Sequence, residues 1–200
     1  MKIKINNTEI EVYDGEKLIE VARRNNIEVP SLCYVSGYKH QASCMVCVMK
    51  NNETGQMIPS CSTIVTDGMN IESDSEEIKE LRRQSLELLL SDHIAVCRPP
   101  CQPANCTLRK HTLTYRAKWN RYSRYSALKS VPPQHIKGNF WFDVAKCIRC
   151  GLCVYNTQNG FTFKGRGFGM SVVLPPENTN NVDESLCDIC PTQALYIEKE

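Results

Sequence analysis

The chain has 200 residues, 12 of them cysteine, and a formal net charge of +2. Its N-terminus, Met1-Lys2-Ile3-Lys4-Ile5-Asn6-Asn7, lacks the apolar core of a secretory signal, and no apolar run approaches the roughly 20 residues that span a membrane. A secreted disulfide scaffold and a membrane-spanning protein are therefore excluded as expectations; a cytoplasmic protein is expected, in which clustered thiols stay reduced and bind metal.

The small net charge hides an uneven distribution. Residues 1–92 carry 10 basic and 15 acidic side chains, residues 93–142 carry 9 basic and none acidic, and residues 143–200 carry 5 basic and 7 acidic. The cysteines fall in three groups, at 33–61, 97–106 and 147–190, which points to three small modules.

In chain order, Ile3 and Ile5, then Ile10 and Val12, alternate with polar residues and predict two strands joined at Asn6-Asn7. Asp14-Gly15 closes the second strand. Leu18, Val21 and Ala22 mark a short helical face that Asn25-Asn26 ends. After Pro30 and a cysteine loop, Cys47-Val48-Met49 and Met57-Ile58 predict a second hairpin around Asn51-Asn52-Glu53-Thr54-Gly55. The sum is a small mixed sheet packed on one helix. Ser73 and Glu76 have capping-box spacing, and Ile78, Leu81, Leu88 and Leu89 predict the buried stripe of a longer helix ending near Ser91, which delivers Asp92-His93 to the next module. From Cys97 to Pro133 the chain reads as loop, interrupted by Pro99, Pro100, Pro103, Pro132 and Pro133. The last module opens at Phe140-Trp141-Phe142 and ends in a strand at Ala194-Leu195-Tyr196-Ile197.

The first cysteine group is Cys33-x10-Cys44-x2-Cys47-x13-Cys61. Four thiolates are a full ligand set for a 2Fe–2S cluster. They would also satisfy zinc, but zinc ribbons use two close pairs, and only Cys44 and Cys47 are close here. The last group begins Cys147-x2-Cys150-x2-Cys153, the front of the bacterial ferredoxin run. The position of that run's fourth cysteine is Thr157, and Cys190-Pro191 supplies a distant substitute. One 4Fe–4S cluster on Cys147, Cys150, Cys153 and Cys190 is the consistent reading, with Cys187 a spare buried thiol or an alternate ligand. The middle group, His93-x3-Cys97-x3-Cys101-x4-Cys106, leaves a 4Fe–4S cube one thiolate short. Spacing alone leaves His93, His111 or Cys187 as the fourth ligand; neutral imidazole can ligate iron.

These motifs together resemble the N-terminal iron–sulfur region of the large peripheral subunit of respiratory complex I (75 kDa type), shared with FeFe hydrogenases and NAD-linked formate dehydrogenases. The resemblance covers nearly the whole chain. It rests on Cys33, Cys44, Cys47 and Cys61, on Asp92-His93 with Cys97, Cys101 and Cys106, and on Cys147, Cys150 and Cys153 with the tail Cys190-Pro191-Thr192-Gln193-Ala194-Leu195. Gly165-Arg166-Gly167-Phe168 also looks like family sequence. One departure is that Cys101 stands one residue late within an unchanged span from Cys97 to Cys106, behind Pro99-Pro100.

The resemblance implies an α+β fold. It divides into a β-grasp 2Fe–2S ferredoxin domain (1–75), a helix with a small His/Cys 4Fe–4S module and basic linker (76–135), and a bacterial ferredoxin-like 4Fe–4S domain (136–200). It makes His93 the ligand that completes the set of Cys97, Cys101 and Cys106. The implied cofactors are one 2Fe–2S and two 4Fe–4S clusters. The implied function is single-electron relay in a hetero-oligomeric oxidoreductase, between a flavoprotein that binds FMN and NAD(P)H and a second redox subunit. No catalytic site of its own is expected: no G-x-G-x-x-G fingerprint occurs, and Gly165, Gly167 and Gly169 read as turn glycines. A free ferredoxin-like carrier is the rival reading, although a shuttle has no need of three clusters. Nucleic-acid binding through Arg109, Lys110, Arg116, Lys118, Arg121 and Arg124, interleaved with Tyr115, Trp119, Tyr122 and Tyr125, is a weaker one. Those cations more simply offset the negative charge of thiolate-bound clusters and face an acidic partner.

Overall fold

The computed structural model describes residues 1–91, 93, 106–119, 121–122 and 131–198. Strands β1 (Lys2–Ile5) and β2 (Thr8–Glu11) pair antiparallel, Ile3 opposite Ile10. Asn6 and Asn7 both adopt left-handed φ, 51° and 66°, the requirement of a two-residue turn whose twist matches the strands. Helix α1 (Leu18–Arg24) buries Leu18, Ile19, Val21 and Ala22. Strands β3 (Val48–Asn51) and β4 (Met57–Pro59) form the second hairpin, and β5 (Asn70–Glu72) completes a sheet ordered β2-β1-β5-β3-β4. The β1–β5 pair is parallel and needs the long connection through α1 and the cysteine loop. Ile3, Ile5, Ile10, Val12, Met49 and Ile71 pack against α1 as one core.

Helix α2 (Glu76–Ser91) ends where the sequence suggests, but its cap and its buried face differ. Ser75, not Ser73, accepts the Ile78 N–H (3.4 Å). Ser73 is committed elsewhere: its hydroxyl accepts from the Asn6 amide at 2.7 Å and its N–H donates to Asn6 Oδ1 at 2.9 Å, tying the first hairpin to the chain ahead of α2. The buried row is Ile78, Arg82, Leu86 and Leu90, spaced four residues apart, whereas Leu88 is 57% exposed.

A further departure is α3 (Thr107–Thr114), an eight-residue helix in a stretch expected to be loop. Cys106 caps it, its sulfur accepting the Arg109 N–H at 3.5 Å. Leu108 is fully buried, so one apolar anchor and a cap hold a segment whose other residues are mostly polar or basic.

The C-terminal part is built on β6 (Gln134–Lys137), β7 (Phe140–Phe142) and β10 (Leu195–Ile197), ordered β10-β7-β6 and antiparallel throughout. A separate hairpin, β8 (Thr162–Lys164) and β9 (Ser171–Val173), flanks it. Gly165 and Gly167 take φ of 79° and 55° between those two strands, which accounts for the glycines there without a nucleotide loop. Short helices α4 (Leu152–Tyr155) and α5 (Leu186–Ile189) carry the last cysteines. Among the described residues no helix is long and apolar enough to cross a membrane.

Candidate iron–sulfur centres

Cys33, Cys44, Cys47 and Cys61 are all buried. Strand pairing brings two of them together: Cys47 immediately precedes β3 and Cys61 shortly follows β4, and the Ser60 hydroxyl and N–H both donate to the Cys47 carbonyl at 2.7 and 3.3 Å. Cys44 reaches the same place through a tight loop in which Met45 takes φ 54° and stays 40% exposed. The Cys33 and Cys44 sulfurs lie 3.4 Å apart. The His40 ring contacts the Tyr34 ring edge-on at 4.7 Å and meets the Cys61 carbonyl at 3.0 Å.

Four thiols sharing one dry space cannot all ionise alone. Hydrogen bonds from the Cys44 and Cys61 thiols hold Cys33 far below the ordinary thiol range. Donation to Cys33, together with burial, pushes Cys44 up. Donation to Cys33 and Cys47 pushes Cys61 up, and the bond from Cys61 lowers Cys47 to about 7. Backbone N–H groups of Ser43, Cys44, Val46 and Cys61 also point at these sulfurs, a donor shell that favours thiolate over thiol. The donor set fits a cationic iron–sulfur core, which a complete set of four thiolates can surround.

Cys147, Cys150, Cys153 and Cys190 line a single cavity walled by Phe142, Leu152, Val172 and Leu186. Cys187 does not face that cavity; it lines an open groove with Arg23 and Lys146. The C-x2-C loop turns through two left-handed residues, Arg149 (φ 58°) and Gly151 (φ 79°), and the Arg149 N–H points at the Cys147 sulfur at 3.4 Å. Burial pushes Cys147 up to about 12, and pushes Cys150 and Cys153 up as well. Such apolar walls disfavour bare thiolates and fit thiolates neutralised by iron.

The middle group is described in part. His93 is 2% exposed and its N–H donates to the Leu90 carbonyl at 2.8 Å, continuing the turn that ends α2. Cys106 is buried at the head of α3. Asp92, Cys97 and Cys101 lie outside the described residues. His111, one alternative ligand, is buried on α3 and held at the Ser31 carbonyl. Among the described residues no three His, Cys, Asp or Glu side chains gather as around one bare ion.

The feature that cysteine spacing does not reveal is a junction. Leu32, Cys33, Cys44, Val46, Leu86, Leu90, Cys106, Leu108 and Ile148 form one buried apolar cluster, with Cys150 packed against it. Cysteines from all three groups therefore meet in a single core. Hydrogen bonds lock the same junction. Gln41 Nε2 donates to the Arg149 carbonyl at 3.0 Å, and Tyr155 donates to Gln41 Oε1 at 3.1 Å. Asn156 exchanges bonds with the Lys39 backbone at 2.8 and 3.0 Å, and the Thr107 N–H donates to the Pro191 carbonyl at 2.8 Å. Gln41, Asn156, Leu86 and Leu90 carry no sequence signal for this role beyond their residue types.

Residues 1–76 match the 2Fe-2S iron-sulfur cluster binding domain family. The chain is 30% identical over 98% of its length to the NADP-reducing hydrogenase subunit HndD of Solidesulfovibrio fructosivorans, of which it covers 36%. It is 28% identical over 98% of its length to an NADH-quinone oxidoreductase subunit of Rickettsia felis, covering 30% of that protein. Over 80% of its length it is 27% identical to the putative formate dehydrogenase YrhE of Bacillus subtilis. The chain thus spans about a third or less of the length of these curated relatives. Its fold is shared with a chain in the crystal structure of an NAD+-reducing [NiFe]-hydrogenase in the H2-reduced state, at a TM-score of 0.85 and 22% identity, covering 98% of this chain and 87% of that one.

Proposed function

Because the chain carries a 2Fe–2S iron–sulfur cluster binding domain over residues 1–76 and is related to hydrogenase and NADH-quinone oxidoreductase subunits, we propose that it is an iron–sulfur subunit relaying single electrons within a soluble NAD(P)-linked oxidoreductase. In this reading residues 1–75 are a β-grasp domain holding a 2Fe–2S cluster on Cys33, Cys44, Cys47 and Cys61. Residues 76–135 hold a 4Fe–4S cluster on His93, Cys97, Cys101 and Cys106, and residues 136–200 hold a second on Cys147, Cys150, Cys153 and Cys190. Each bound cluster supplies a centre that accepts and returns one electron.

The observation that carries the reading is the shared apolar junction. Electron transfer weakens steeply with distance, so a relay needs its centres close and the space between them filled. The protein's own residues do this: Leu86, Leu90, Leu32 and Ile148 exclude water between the cysteine groups, and Gln41 and Asn156 hold two cysteine loops in register. Thr107 and Pro191 tie α3 to the last cysteine.

The partners proposed are a flavoprotein that splits the electron pair of NAD(P)H and a second redox subunit, assembled as a hetero-oligomer in the cytoplasm. The relatives are named as subunits, which favours this over a free ferredoxin-like carrier. The test is NAD(P)H-dependent reduction of the clusters, followed by electron paramagnetic resonance, with and without co-purified subunits. Full-rate reduction of the isolated chain would refute the division of labour. Colourless, zinc-containing material from anaerobic purification would refute the clusters.

A further inference from the structure

The buried row of α2 contains one residue that packing does not explain. Arg82 is 1% exposed, one turn from Ile78 and one turn from Leu86. A charge removed from water is costly unless a partner compensates it, and among the described residues no carboxylate pairs with Arg82. Its Nη2 donates to the Val48 carbonyl at 2.7 Å and its Nη1 to the Tyr115 hydroxyl at 3.1 Å, with the guanidinium 5.9 Å from the centre of the Tyr115 ring. Its Nε is buried and makes no hydrogen bond. The buried carboxylate on the same helix, Glu87, is occupied by the Lys118 N–H and by Arg121.

The Val48 bond has a structural cause. The Ser60 N–H bonds the Cys47 carbonyl and the Asn51 N–H bonds the Gln56 carbonyl, so the Val48 carbonyl, lying between them in register, points away from β4. On its other side β5 ends at Glu72, opposite Lys50. Arg82 fills the donor position that a longer β5 would have supplied. A neutral amide could fill it as well, so the positive charge is surplus to the hydrogen bond.

That charge is bonded to the residue next to Cys47, a ligand of the proposed 2Fe–2S site. Val48 follows Cys47 directly, and Leu86, one turn along, packs with Cys33 and Cys44. Four thiolates outweigh the positive charge of a 2Fe–2S core, and one added electron makes the site more negative still. In a poorly screened interior a nearby cation stabilises the reduced state more than the oxidised one. We propose that Arg82 is the buried counter-cation of the 2Fe–2S site and raises its midpoint potential. The proposal rests on the reading of Cys33, Cys44, Cys47 and Cys61 as that site's ligands. The reduction involved adds one electron, taken from dithionite in the assay, and no proton.

The test is a redox titration of the anaerobically purified holoprotein, reading the 2Fe–2S signal by electron paramagnetic resonance. Arg82→Gln keeps a donor for Val48 and removes the charge. It should make reduction at least tenfold less favourable, a downward shift of about 59 mV for one electron. Arg82→Lys keeps the charge and should stay near the parent midpoint. Tyr115→Glu places a carboxylate against the guanidinium without touching the Val48 bond, and should lower the midpoint in the same direction if Arg82→Gln fails to assemble. An unmoved midpoint in either charge-cancelling variant, with the 2Fe–2S signal intact, overturns the role of Arg82 alone. A parent protein without a 2Fe–2S signal overturns the ligand reading, and this proposal with it.

Discussion

Replacing Leu86 by alanine tests whether the three cysteine groups share one packed junction. Leu86 is fully buried and packs among Cys33, Cys44, Cys106 and Ile148. The change deletes three carbons; at about 0.8 kcal/mol each the transfer loss is about 2.4 kcal/mol. The cavity left behind raises this to roughly 3–4 kcal/mol, inside the usual range for buried leucine. For a chain of this size such a loss lowers the unfolding midpoint by roughly 6–16 °C. The assay is anaerobic thermal unfolding of the holoprotein, following the 2Fe–2S and 4Fe–4S signals separately by visible circular dichroism and electron paramagnetic resonance. All signals should fade together at the lower temperature. Leu18→Ala and Val172→Ala, placed in the separate cores around α1 and β9, serve as controls whose damage begins at one site. If Leu86→Ala bleached a single cluster and left the others at the parent temperature, the shared junction would be wrong.

Other expected outcomes are more local. Cys190→Ser should cost one 4Fe–4S cluster's share of iron while Cys187→Ser keeps it, because Cys190 lines the cavity of Cys147, Cys150 and Cys153 and Cys187 does not; iron and sulfide analysis decides. Ser75→Ala should destabilise the protein by about 1 kcal/mol through loss of the α2 cap, read in urea titration. Burial holds the His111 imidazole below its ordinary value of 6.5. The unfolded chain therefore binds a proton near 6.5 that the folded chain refuses, so this contribution to stability is full above pH 6.5 and is lost as the pH falls below it. The unfolding midpoint should drop between pH 7.5 and 5.5, and His111→Gln should flatten that drop.

Local features are the legible ones. Asn6-Asn7 announces its turn because few residues tolerate positive φ twice in succession, and the cysteine spacings encode loops that any fold must close. What spacing misses depends on distant neighbours. Ser73 has the capping-box spacing to Glu76 that Ser75 lacks, yet the position of Asn6 after β1 claims Ser73 and leaves Ser75 to cap α2. The leucines at 86, 88, 89 and 90 offer several helical stripes; packing of α2 against β3, α3 and the shared core selects Leu86 and Leu90 and exposes Leu88. The burial of Arg82 has no signal in its residue type, because the donor it supplies is needed only where β5 stops short. The helical signal of α3 is one buried leucine, Leu108, and a cysteine cap among basic and polar residues, too little to set it apart from loop. In each case the deciding contact is long-range, and spacing along the chain has no access to it.

The junction also bears on how such a chain folds. Its three cores are modest, and the one that joins them contains the very cysteines that each group needs. Unligated thiols there meet conflicting demands: burial pushes Cys150 up, while the crowded first group forces Cys33 and Cys44 to different protonation states. Iron bound as proposed would resolve both demands by accepting thiolates in an apolar space. Closing one site then orders Leu32, Leu86 and Ile148 for the next, so assembly of the clusters should be cooperative. Dense interiors forfeit contact energy at small gaps, and the same tight filling would keep the space between the proposed redox centres short and free of water.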